Sequence, residues 1–126
     1  MYDFLDRPVD SLSTDDRHLL DAMRAWVHAL TLASEPAAAV APRFADGGSA
    51  FDAAMRVLER DSTDTLVFQR PCHSTVEETE AVVLGLWRLV RSDRLAPALG
   101  AARLLVGDAA GAFVGAMQRA VGSADR

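Results

Sequence analysis

Four residues in one short stretch carry side chains able to do chemistry: Arg70, Cys72, His73 and Glu77. A cysteine just ahead of a helix start, next to a histidine and near an arginine, sits where positive potential lowers a thiol pKa. On that reading Cys72 is a nucleophile or redox-sensing thiol, His73 its base or hydrogen-bond partner, and Arg70 a stabiliser of charge. Glu77, Glu78 and Glu80 work against it by adding negative charge, and an unpaired cysteine also suits the role of a small buried hydrophobe.

The same stretch offers a second chemistry. His73 and Glu77 stand at i,i+4 and Cys72 adds a soft donor, so these three are the candidate metal ligands. Zinc needs further ligands, which His18, His28 or a distant acid would have to supply. The sequence holds no CxxC, no HExxH and no pair of Glu-x-x-His motifs. A polar loop whose acids stabilise a helix start explains the residues without a metal.

Other chemistry is excluded or weakened by residue type. All 13 basic residues are arginine, and without lysine there is no Schiff base, no pyridoxal attachment and no P-loop lysine. Ser74 and Thr75 lack a Gly-x-Ser-x-Gly context and serve better as helix caps. His18 and His28 are separated by roughly 1000° of helical rotation and so lie on different faces. Trp26 and Trp87 fall on apolar helix faces and read as core. No cofactor is implied.

The elements that must position these residues are helical. The run from Ala81 to Val90 is apolar almost all round with one charge, Arg88, which marks a helix surrounded by neighbours. Ser74 with Glu77, or Thr75 with Glu78, has capping-box spacing, so this central helix is expected over about 75–91. A first helix is expected over 14–33, with Leu19, Leu20, Met23, Trp26, Val27 and Leu30 forming its apolar stripe. Arg17, Asp21, Arg24 and His28 form its solvated face. A short turn begins near Pro36, and Ser49 with Asp52 starts a helix over 50–60 with Phe51, Ala54, Met55 and Leu58 inward.

Residues 65–68, Thr-Leu-Val-Phe, have strand character but no second run to pair with, so they read as an extended segment laid on the bundle. Two further helices run to Val106, with Pro97 in the first turn, and over 109–121, separated at Gly107 and Asp108. Residues 1–13 form an extended arm and 123–126 a polar tail. Gly107, Gly111 and Gly115, spaced by four among alanines, make one smooth side. Glycine costs about 1 kcal/mol relative to alanine inside a helix, which implies close approach of another helix, from this chain or from a second copy.

With 126 residues, half of them apolar, the chain suits one domain. A net charge of −5 disfavours nucleic acid, although Arg56, Arg60 and Arg70 could meet phosphates if a helix pair bound DNA. The single cysteine suits a reducing compartment, the N-terminus lacks signal-peptide features, and no apolar run of about 20 residues reads as a bilayer span, so the cytoplasm is expected. The expected fold is an all-α, single-domain bundle of about five helices around the central one. The expected function is protein–protein contact, regulatory or adaptor in kind and including a homodimer, with a Cys72-dependent sensor or enzyme and a helical DNA-binding regulator as alternatives.

Overall fold

The computed structural model describes residues 4–63 and 65–123. Residues 1–3 of the expected arm and 124–126 of the expected tail lie outside them, as does Asp64. The described residues form one all-α domain: α1 (Thr14–Thr31), the short α2 (Pro36–Val40), α3 (Ser49–Asp61), α4 (Glu78–Arg91), α5 (Leu95–Val106) and α6 (Ala110–Ser123). Their only β-bridge is an isolated antiparallel one between Pro8 and Thr75. The most extensive helix contact is α3 against α6, while α4 packs on α1, α5 and α6.

Each start has a local cause. Ser13 caps α1 by accepting from the Asp16 amide at 3.1 Å. At α3 the Asp46 carboxylate accepts from the amides of Gly48 (2.9 Å) and Ala50 (3.0 Å), across a left-handed Gly48. The expected pairing of Ser49 with Asp52 is thereby corrected: Asp52 instead accepts from the Trp26 indole at 2.8 Å and from Arg56 at 3.1 Å. The α4 start is likewise corrected. Its capping box is Glu77 with Glu80, so the helix begins at Glu78 rather than near residue 75, and Ser74 and Thr75 stay in the loop.

A column of rings crosses the core from α1 to α4. His18 meets Phe44 edge-on at 5.2 Å, Phe44 stacks on Phe51 at 4.9 Å, and Phe51 stacks on Trp87 at 5.6 Å. Such pairs contribute about 0.5–1.5 kcal/mol each beyond area burial. Both tryptophans are buried. Residues 6–9 run antiparallel to 74–76: Asp6 and Val9 donate amides to the carbonyls of Val76 and Ser74, and Val76 donates back to Arg7. Phe4 and Val9 enter the core, and the Arg88 guanidinium lies 4.4 Å from the Phe4 ring centre.

At Gly107 the backbone takes φ 59°, a 3-10 turn follows, and α5 and α6 pack against each other. Counted together they make a helical stretch, Leu95–Gly122, of 28 residues, long and apolar enough by composition to cross a membrane. The turn at Gly107 nevertheless divides it into α5 and α6, of 12 and 14 residues, each shorter than a bilayer span.

Candidate functional site

The loop ahead of α4 is held by a buried ion pair between α1 and α4. The side chains of Arg24 and Glu80 are both 0% exposed. Arg24 donates from Nε and Nη2 to the two Glu80 oxygens, each at 2.8 Å, a bidentate fork. Its remaining reach goes to main chain: Nη1 donates to the His73 carbonyl at 2.7 Å and Nη2 to the Thr75 carbonyl at 2.8 Å. Glu80 also accepts from the amides of Gln69 (2.9 Å) and Glu77 (3.1 Å). A carboxylate offers about four acceptor sites, and all are used. The pair thus ties four main-chain groups of residues 69–77 to two helices.

This arrangement corrects the placing of Arg24 on a solvated face. The buried side of α1 runs through Asp16, Leu20 and Arg24, rotated from the stripe that included Val27 and Leu30; Leu30 is 37% exposed. The signal was present in the sequence. Arg24 lies one turn after Leu20, and Glu80 one turn before Leu84, so two opposite charges each interrupt an apolar face. Either alone reads as an exposed charge; only their meeting across the fold explains both.

On this frame the sequence candidates separate. His73 and Glu77 meet, with His73 Nε2 3.2 Å from Glu77 Oε2, and Thr75 Oγ1 donates to the same oxygen at 3.0 Å. The His73 ring, and then the Thr75 hydroxyl, hold the Glu77 carboxyl below its ordinary pKa of 4.5. Cys72 and Arg70 are exposed on the outer side of the loop. Among the described residues, the Cys72 thiol has no hydrogen-bond partner, and no three His, Cys, Asp or Glu side chains gather as metal ligands. Of the arginines considered for phosphate contact, Arg56 is bonded to Asp52 and Arg60 to Asp61.

The glycine side of α6 is bare. A methyl group added at Gly107 or Gly111 meets nothing within 4 Å, and one at Gly115 meets only the tip of Arg119, on the same helix. Buried residues of α6, among them Phe113, Val114 and Met117, face inward, while Gly111, Ala112, Gln118 and Gly122 are exposed. On α5, only Ala98, Ala102 and Val106 are buried, and Leu104 is 81% exposed with Pro97 and Gly100 also at the surface. No family model, curated protein or solved structure matches the chain.

Proposed function

We propose that the protein works by protein–protein contact and that the outer side of α5 and α6 is where a second copy docks. The carrying observation is Leu104, 81% exposed on a helix whose outer side also holds Pro97 and Gly100. Leaving such a side chain in water forgoes about 1.5–3 kcal/mol of burial. The α6 glycines support the same reading: each costs helix stability, and none of the described residues approaches them closely enough to need the missing methyl. A two-fold contact places the same surface of each copy against the other, so each apolar residue is buried twice.

Sedimentation velocity over a range of protein concentrations tests this. The expected result is a dimer that dissociates on dilution, and a Leu104→Glu variant that stays monomeric while remaining fully helical by circular dichroism. A wild-type chain that is monomeric at every concentration overturns the reading.

A further inference from the structure

Residues 65–68 run without helix, turn or bend between α3 and the loop ahead of α4. Leu66 and Phe68 are half-buried, while Thr65 and Val67 are exposed, the two-residue alternation of a strand. Yet among the described residues no main-chain N–H or C=O group of these four residues has a partner. The segment is fixed at both ends. Thr63 donates its amide to the Leu105 carbonyl at 2.8 Å and its hydroxyl to the Leu104 carbonyl at 3.1 Å, while the Gln69 amide donates to Glu80. A non-helical segment so held, with open main-chain groups, can pair with an extended peptide.

Beside it lies a pocket of about 480 Å³, with Trp26, Met55 and Leu58 among its lining and Leu66 and Phe68 on the segment's side. That volume is within the range of known ligand sites and large enough for a bulky side chain. Among the described residues, Glu59 is the one charged residue lining the pocket; it is exposed and has no ion pair or hydrogen bond with them. The neighbouring cations are already engaged, Arg56 with Asp52 and Arg60 with Asp61.

We infer that this edge and pocket together bind an extended peptide segment of a partner protein, which adds as a strand along residues 65–68. A large apolar side chain of the peptide enters the pocket, and an arginine or lysine two residues along, on the same face of the added strand, pairs with Glu59. Main-chain bonds supply affinity, and the pocket with its carboxylate supplies the choice of sequence. The segment is joined to α5 through Thr63, so peptide binding is tested apart from self-association.

The test is an amide NMR titration of the full chain with a short capped peptide of alternating threonine and valine carrying a central phenylalanine and an arginine two residues after it. Saturable shifts are expected at the amides of residues 65–68 and at the Trp26 indole. N-methylation of alternate peptide amides should weaken binding about tenfold or more, since at least two main-chain bonds are lost. Glu59→Gln should weaken the arginine peptide several-fold and leave a glutamine-substituted peptide unaffected. Running the series in parallel on Leu104→Glu keeps the result independent of self-association. Absence of saturable shifts, equal binding of the N-methylated peptide, or equal binding of free phenethylammonium would each overturn the inference.

Discussion

Arg24 and Glu80 show how a single pair of residues can fix a whole loop. Burying two charges is costly and is offset only when their donors and acceptors are well matched, as here by four main-chain groups besides the mutual fork. Arg24→Met is expected to cost about 3–5 kcal/mol in urea denaturation, because it leaves Glu80 charged and buried. The double variant Arg24→Met with Glu80→Met should not recover wild-type stability. Some buried ion pairs can be exchanged for apolar residues without loss, but this exchange would orphan the His73 and Thr75 carbonyls and the Gln69 and Glu77 amides. Recovery to wild type would show that the loop does not depend on the pair.

Glu77 carries the pH-dependent part of the same loop. Its native pKa is lowered, chiefly by the His73 hydrogen bond and next by Thr75, so its contribution is present above the unfolded carboxylate value. It is lost as pH falls through the lower native value. A side-chain NMR titration should place the Glu77 midpoint below 4.5, and the acid limb of the stability curve should be shallower in Glu77→Gln. The local pairing of His73 with Glu77 was legible from i,i+4 spacing. The role of Arg24 was not, since its partner lies 56 residues away.

At the scale of elements, the apolar periods of α1, α3 and α6 were readable because burial follows the helical repeat. The helix starts were less so. A hydroxyl residue, Ser49, opens α3 and two precede α4, yet carboxylates do the capping: Asp46 reaches past Gly48, and Glu77 uses its own side chain. Several caps satisfied the same spacing rules, and competing partners chose among them: Asp52 was taken by Trp26 across the fold, and Thr75 locally by Glu77. The glycines separate cleanly at this scale. Gly107 is required by its φ of 59°, so Gly107→Ala should destabilise by about 1 kcal/mol or more although space is open around it. Gly111 is helical with nothing nearby, so Gly111→Ala should raise the stability of the monomer by up to about 1 kcal/mol. Thermal unfolding of the two variants, compared on the Leu104→Glu background to remove association, checks both signs.

For the molecule as a whole, the all-α single domain follows from composition and period, but the sequence could not say which apolar surfaces the fold leaves uncovered. Leu99 and Leu105 of α5 are partly covered and packed on the core, whereas Leu104 points outward, and only the folded chain distinguishes them. That outward side is the basis for the proposed contact with a second copy. The most direct measurement is the methyl NMR signal of Leu104 followed as the protein is diluted. Contact through α5 and α6 predicts that this signal shifts with concentration, together with the amides of Gly100 and Gly111, while the buried methyls of Leu20 and Leu84 stay fixed. A Leu104 signal that does not move between dilute and concentrated protein would contradict the account.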